Sequence, residues 1–480
     1  MGVGRVLVIA GSDSSGGAGI EADQKVIAAH GCYAMTATTA LTAQNTLGVE
    51  DVHYVPAEFV GKLIDVSVGD VGVDVVKTGK LPDTYIGVVD EMIMIPDSLD
   101  TDDMLRHHVK SLIVDPVMVS TSGSQLLPST AICQLRESLF PYTTVLTPNL
   151  PEAQLLLSDA GKFVGEPKNL DDLKEIAKLV QSLGPKYVLV KGGHLPLQKD
   201  GTVATKEEEK ELMVDILYGE GVITEIRTSY QKSRNTHGTG CSMASAIASN
   251  IANGLPVIQA VRSACRYIEA GIRTAPDLGK GNGPINHFHS TYTLPFAPGH
   301  FVEYLLDRPD VKGAWRDHTE HAFVKGLGDG TLPLESFKYY LIQDYLYLVQ
   351  FARATALASY KAKTMEGIAA SAGIVLHIHR EMALHISYCE GFGMTKAEIE
   401  ACEESQACTA YTRYVLDIGQ SEDWLALQIS MAPCLIGYGE IAKRLHADPN
   451  TKREGNIYWK WIENYVADDY TEAVKVGSGM

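Results

Sequence analysis

Short apolar runs punctuate the first part of the chain, at Val6 to Ala10, Leu112 to Val114, Val145 to Leu146 and Tyr187 to Val190. Each ends in a Gly, Asp, Asn or Lys motif, and helix-like stretches separate them, which predicts parallel strands buried on both faces. Beyond residue 300 the period changes. Leu334 to Tyr360, Thr364 to Tyr388, Thr395 to Leu416 and Asp423 to Leu445 carry apolar positions at helical spacing and predict an all-α bundle. Between the two lies a stretch rich in Gly and Pro, from Pro276 through GNGP at 281–284 to Pro298, with no periodicity. The expectation is a multidomain chain with an α/β domain over 1–278, a linker over 279–299 and an all-α domain over 300–480.

Composition sharpens that division. Seventeen of the 20 prolines lie at or before Pro309, whereas all four tryptophans and 13 of the 22 tyrosines lie after residue 300. Lys+Arg against Asp+Glu is 41 against 59, a net charge of −18, which disfavours a broad basic face for nucleic acid or anionic lipid and leaves only a local phosphate pocket. The apolar runs fall well short of the ~20 residues a membrane helix needs. No hydrophobic signal segment follows Met1 and neither end carries a lipidation motif, so a cytosolic protein is expected. The eight cysteines include no CxxC pair and suit reduced, buried small hydrophobes.

Candidate chemistry gathers at the strand ends. AGSDSSGGAGIEAD at 10–23 is a glycine-rich turn entering a helix, and DPVM at 115–118, TPNLPEA at 147–153, VKGGH at 190–194 and HGTGC at 237–241 are further motifs of this kind. In an open parallel sheet the strand carboxyl ends share one crevice, so separate motifs meet in one site. GTGC opens an apolar helix, which points the N–H groups of Gly238, Thr239, Gly240 and Cys241 at an anion with the helix dipole behind them. A thiol at Cys241 is expected to be acidified there and to deprotonate a substrate hydroxyl; a buried helix-start cysteine is the plainer alternative.

These motifs, with ALTAQNT at 40–46, VKTG at 76–79 and DPVMVSTSG at 115–123, together resemble the hydroxymethylpyrimidine (phosphate) kinases of the ribokinase superfamily over roughly residues 5–275. The resemblance implies ATP-dependent phosphorylation of 4-amino-5-hydroxymethyl-2-methylpyrimidine and then of its monophosphate, for thiamine. Carried over by motif, Asp23 and Gln44 would bind the aminopyrimidine, Cys241 would be the base of the first step, and Gly238 and Gly240 would frame the anion hole. Asp115 and Glu152 would hold Mg²⁺ directly or through water, and Lys191 would lie near the nucleotide phosphates. Where that family usually has a methionine after VKTG, this chain has Lys80, a flexible cation in place of an apolar lid. A pyridoxal-type kinase of the same superfamily is the alternative, against which ALTAQNT and the cysteine of GTGC argue.

In the helical part, Tyr340, Asp344 and Tyr347 stand at i, i+4 and i+7 and share one face, as do Cys434 and Tyr438 at i and i+4. Such residues are either satisfied core groups or the floor of a pocket for an amino-bearing aromatic ligand. DGTLPLESFKYYLIQDYLYL, AYTRY at 410–414, APCLIGYGE and the WIENY ending at Tyr465 together resemble the TenA family of aminopyrimidine aminohydrolases, or thiaminases II, over roughly 300–470. This implies a haem-oxygenase-like bundle in which Cys434 attacks the pyrimidine-bearing carbon or assists its substitution, Asp344 binds the pyrimidine amino group and ring nitrogen, and Tyr347, Tyr411, Tyr438 and Tyr465 line the pocket. That family supplies a glutamate from a C-terminal helix. Here the chain ends 15 residues after Tyr465 without a match to it, Glu472 standing in a different context, so a weak, incomplete or non-catalytic oligomerisation module is the alternative for this half. His318, His321, His377, His379, Glu381 and His385 lack the Glu-x-x-His spacing of a di-iron bundle and read as solvated. The arrangement looks like the bifunctional enzymes of fungi, with ATP and Mg²⁺ as cofactors, small pyrimidines as substrates, no nucleic acid or membrane partner, and a homo-oligomeric state.

Overall fold

The computed structural model of the chain describes residues 2–81, 83–93, 109–118, 128–468 and 470–471, which fall into two units, Met1–Tyr292 and Thr293–Met480. Among its described residues the first has ten strands: β1 (Arg5–Ala10), β2 (Tyr33–Thr38), β3 (Ala40–Asn45), β4 (Gly48–Tyr54), β5 (Val75–Thr78), β6 (Leu112–Val114), β7 (Val145–Leu146), β8 (Tyr187–Val190), β9 (Leu212–Gly219) and β10 (Val222–Ser229). Eight form one sheet in the order β10-β9-β8-β7-β6-β5-β1-β2, parallel from β8 to β2 with β9 and β10 as an antiparallel edge. β3 and β4 make a separate, largely exposed hairpin with a register shift at Ala43/Gln44.

Strand β1 explains the unbroken apolar runs. Val6, Val8 and Ala10 face a core closed by the helices Gly19–Ala29, Thr239–Ala252 and Val257–Arg273. Leu7 and Ile9 face the opposite core, under Ala57–Val71, Leu150–Asp159 and Leu170–Gln181. With helices on both sides, neither face of the strand tolerates a polar alternation. The strands' carboxyl ends therefore deliver their loops to one edge, where residues 10–18, 79–80, 115–118, 147–149, 191–194 and 237–240 lie.

The stretch expected to be a linker is in part structured. Ile285 is 2% exposed within the core beneath Val257–Arg273, Asn286 N–H donates to Gly271 O (2.9 Å), Asn282 N–H donates to Thr46 O (3.0 Å), and the Tyr267 hydroxyl donates to the His287 carbonyl. Without periodicity of its own, the segment satisfies its backbone against the first unit and anchors there by one apolar side chain. The boundary falls at Tyr292/Thr293.

The second unit is helical, built around Leu334–Lys361, which packs against Met365–Glu390, Gln406–Ser421 and Trp424–Ala447. Phe337, Leu341, Tyr458, Trp461 and Ile462 form its main core. The single helix expected over Thr395 to Leu416 is two, Lys396–Glu400 and Gln406–Ser421, because Thr395 and Ser405 each cap a separate start. Among the described residues one helix, Trp424–Ala447, is long and apolar enough to cross a membrane by length and composition, an exception to the expectation; its Leu427, Met431, Ile441, Ala442 and Leu445 are buried within the unit.

The packing of Ile285 gives a first test. Ile285→Ala is expected to destabilise the first unit by about 2–4 kcal/mol, the cost of truncating a buried aliphatic side chain. Amide exchange in β1 and Thr239–Ala252 reports it, since all four tryptophans lie beyond residue 300 and signal only the second unit. A residue in a true linker would leave that protection unchanged.

Candidate active sites

The helix Thr239–Ala252 begins at Gly238, whose φ of +77° is the left-handed turn glycine allows, and a Cβ there would lie 1.9 Å from Gly17 O. A Cβ on Gly17 would in turn meet His237 Cδ2 at 2.6 Å. The two glycine turns thus interlock, bringing the loop after β1 against the start of this helix. His237 Nε2 lies 2.8 Å from Asp13 Oδ2 and 3.3 Å from the side-chain amide of Gln44 on the hairpin. Burial raises the Asp13 carboxyl, but hydrogen bonds from His237 and Ser15 outweigh it and hold the group at about 2.

On the other side of the helix start, Lys191 Nζ lies 2.8 Å from Asp115 Oδ1, which also accepts from Thr147 Oγ1 (3.0 Å). The second oxygen, Oδ2, is buried without a hydrogen-bond partner, and a Cβ on Gly240 would lie 3.6 Å from it and 3.3 Å from Lys191 Nζ. Gly240 therefore lets the ion pair stand directly at the helix N-terminus. Glu152 is 3% exposed and caps its own helix, accepting from Asn149 N–H (2.8 Å) and Met118 N–H (3.3 Å). Burial pushes its carboxyl up to about 7, Lys191 opposing and Asp115 adding to the rise. An orphaned, buried carboxylate oxygen beside a lysine and a helix N-terminus fits a magnesium–nucleotide phosphate group, with Asp115 the nearest oxygen donor and Glu152 behind it. Among the described residues no three His, Cys, Asp or Glu side chains form a closed metal cage. The VSTSG part of the DPVM motif, residues 119–123, lies outside the described residues, as does Glu472.

Two expectations fail here. Asp23 is not open to the crevice: it is fully buried, with Oδ2 held by Lys77 Nζ at 2.7 Å and Oδ1 by Ser245 Oγ at 2.7 Å. Cys241 is not acidified overall. Burial pushes its thiol up to about 11, outweighing the Lys77 ammonium, which pulls it down. The helix-dipole argument omitted the desolvation that the neighbouring side chains impose on the thiol. His237, Asp13 and Lys77 were not singled out from sequence, although a lysine inside an otherwise apolar strand was the available signal for the last. Lys80 stands half-buried just beyond β5, where burial lowers its ammonium.

In the helical unit a cavity of about 970 Å³ is lined by Asp344, Tyr347, Tyr411, Cys434 and Tyr438, together with Tyr340 and Trp461. Trp461 Nε1–H donates to the Tyr340 hydroxyl (3.3 Å), which donates to Asp344 Oδ2 (3.4 Å). The rings of Tyr347 and Tyr411 stack at 5.8 Å and 7°. Burial raises the Asp344 carboxyl while His385 and Tyr340 oppose it. Tyr465 is not on the cavity wall; it packs behind, 4.5 Å from the Trp461 ring and 5.4 Å from that of Tyr438. Nor is His385 solvated: its side chain is 15% exposed and its Nε2 lies 2.9 Å from Leu341 O and 3.9 Å from Asp344 Oδ2. His318 also lines the cavity.

A parallel sheet whose loops converge on a glycine-framed helix start, with a lysine–aspartate pair facing it, defines the first unit as a ribokinase-like small-molecule kinase, here followed by a helical domain. Residues 13–286 match the family described as phosphomethylpyrimidine kinase, and residues 308–478 match the TENA/THI-4/PQQC family. The chain belongs to the phosphomethylpyrimidine kinase family, in a form carrying a TenA domain. It is 41% identical to a putative hydroxymethylpyrimidine/phosphomethylpyrimidine kinase 2 of Schizosaccharomyces pombe, over 98% of this chain and 84% of that one. It is 34% identical to a Saccharomyces cerevisiae hydroxymethylpyrimidine/phosphomethylpyrimidine kinase, over 99% of this chain and 89% of that one. Among solved structures, the ADP complex of Bacillus subtilis pyridoxal kinase is similar at 32% identity and a TM-score of 0.50, covering 60% of this chain and 98% of that one. A Staphylococcus aureus pyridoxal kinase in complex with AMP-PCP is similar at 26% identity and a TM-score of 0.50, covering 61% of this chain and 96% of that one.

The half-buried thiol of the cavity carries a pH dependence. Burial pushes Cys434 up to about 12, a hydrogen bond from Tyr347 pulling the other way. Iodoacetamide is therefore expected to modify exposed Cys402 far faster than Cys434 at neutral pH, and the Cys434 rate to rise about tenfold per pH unit between pH 7 and 9. A Cys434 rate that levels off within that range would mean the thiol is activated.

Proposed function

We propose that the first unit transfers the γ-phosphoryl group of ATP to 4-amino-5-hydroxymethyl-2-methylpyrimidine and then to its monophosphate. The helical unit hydrolyses the aminomethyl analogue, or thiamine itself, and so supplies the hydroxymethylpyrimidine that the first unit consumes. The observation that carries this reading is the helix start at Gly238 to Cys241 set against the Lys191–Asp115 pair at 2.8 Å. Phosphoryl transfer needs positioning and neutralisation more than covalent chemistry, and this arrangement offers both.

Each residue then has a task. Gln44 offers an amide that donates and accepts, suiting the aminopyrimidine edge, and stands beside His237 at the rim of the same crevice. N–H groups of Thr239, Gly240 and Cys241 face the charge that develops on the transferring group. Lys191 offsets phosphate charge, and Cys241 takes the proton of the substrate hydroxyl as that oxygen attacks. Mg²⁺ arriving with ATP, held through Asp115 with Glu152 behind, would supply further charge neutralisation on the phosphates. In the cavity, Asp344 faces the amino and ring-nitrogen edge of the pyrimidine, the mutually stacked Tyr347 and Tyr411 wall the pocket beside it, and Cys434 faces the exocyclic carbon. The S. pombe and S. cerevisiae kinases, similar over almost the whole chain, favour a pyrimidine over pyridoxal.

The two phosphorylations differ in one respect that tests the role of Cys241. The first requires removal of a hydroxyl proton, whereas the monophosphate presents an oxygen that is already anionic. Cys241→Ala is expected to lower kcat for the first step about 10²–10⁴-fold and the second far less. Following each step separately by product mass decides it; equal losses in both would remove the cysteine from proton transfer.

A further inference from the structure

Strand β5 reads VVKT, and all four residues are buried. Lys77 at its third position has no solvent exposure, and neither has its partner Asp23, 2.7 Å away. The other Asp23 oxygen accepts from Ser245, which stands one turn beyond Cys241 at i, i+4 on the same helix face. The ion pair is thus fastened to the element that presents the thiol. A Cβ on Gly79 would lie 3.5 Å from Lys77 Nζ and 2.9 Å from Ala10 Cβ, so the glycine lets the end of β5 pass close to the end of β1.

Stability does not account for this pair. Desolvating two charges offsets most of their attraction, and apolar residues of similar volume serve a core as well or better. What an apolar pair lacks is a fixed positive charge below the helix start. We propose that Lys77 is a positioning residue for phosphoryl transfer, its ammonium oriented by Asp23 and Ser245 so that it stabilises the sulfur anion of Cys241.

This rests on the reading of Cys241 as the proton acceptor of the first phosphorylation. In that step the thiolate takes the hydroxyl proton and the substrate oxygen bonds to the γ-phosphorus. The bond from that phosphorus to the bridging oxygen breaks, and ADP leaves with the electron pair. The thiol then returns its proton to solvent. Charged groups acting on Cys241 come from every side: Lys77 on β5, Asp23 on Gly19–Ala29, Asp115 beyond β6 and Lys191 beyond β8, with the Gly19 N–H from the loop after β1. Lys77 and the Gly19 N–H favour the anion; Asp23 and Asp115 oppose it.

That opposition of sign provides the test. Site-resolved iodoacetamide modification of Cys241 is followed against pH in the full chain without nucleotide, for the parent, Lys77→Met and Asp23→Asn. Removing the ammonium is expected to raise the midpoint by a pH unit or more, so that modification at pH 8 slows at least tenfold. Asp23→Asn, which keeps the size and an acceptor for Lys77, is expected to lower the midpoint. Loosening of the fold accelerates modification in both variants alike, so shifts in the same direction, or no shift in either, overturn the proposal. Where Lys77→Met does not fold, Asp23→Asn decides alone, a midpoint that stays or rises being contrary. The readout involves no pyrimidine, so a chain inactive towards pyrimidines sinks the functional reading and leaves this test intact.

Discussion

The contact on which the first unit's chemistry depends is that between the amino end of one helix and the two lysine–aspartate pairs beneath and beside it. Thr239–Ala252 presents its N–H groups outward only because Gly238 turns left-handed and packs on Gly17, a position where any side chain collides with backbone. Lys191–Asp115 stands at the lip of that helix start and Lys77–Asp23 below it, the four charged residues coming from β5, the helix Gly19–Ala29 and the loops after β6 and β8. The parallel strands make this possible, since the loops leaving their carboxyl ends share one edge. Charges placed there act in a region of low effective dielectric, which strengthens their pull on a phosphoryl group and raises the penalty for any one left unpaired.

The helical unit solves a related problem with neutral groups. Its cavity sets the carboxyl of Asp344 against a wall of aromatic rings, and the Tyr340 hydroxyl, itself held by Trp461, keeps that carboxyl from being orphaned. Tyr465 packs tilted behind the rings of Tyr438 and Trp461, and Tyr470 packs edge-on against Tyr465. The cavity is therefore a preformed pocket with aromatic walls, and burial holds its thiol in the protonated form.

Much of this was legible in the sequence, and the exceptions share a physical cause. Buried parallel strands such as Val6 to Ala10 and Tyr187 to Val190 announce themselves because both faces are covered, and GTGC announces a helix start because its glycines have few other uses. The exposed hairpin β3–β4, by contrast, carries no clean alternation, being half out of contact with any core. Asp23 looked like a ligand because its partner Lys77 lies 54 residues away and pairing at that distance leaves no local trace. Cys241 looked acidic because the dipole is local and visible while burial is neither. Ile285 was hidden among glycines and prolines, where a single apolar residue makes no pattern. Trp461 and His385 share the fate of Asp23: their roles arise from helices meeting in space.

The most direct measurement feeds the purified chain ATP and magnesium with either hydroxymethylpyrimidine or its aminomethyl analogue and identifies phosphorylated products by mass. The analogue has no hydroxyl for the kinase to use. Two units working in sequence give phosphorylated hydroxymethylpyrimidine from both compounds. Phosphorylated product from the hydroxymethyl compound alone, or from neither, contradicts that account.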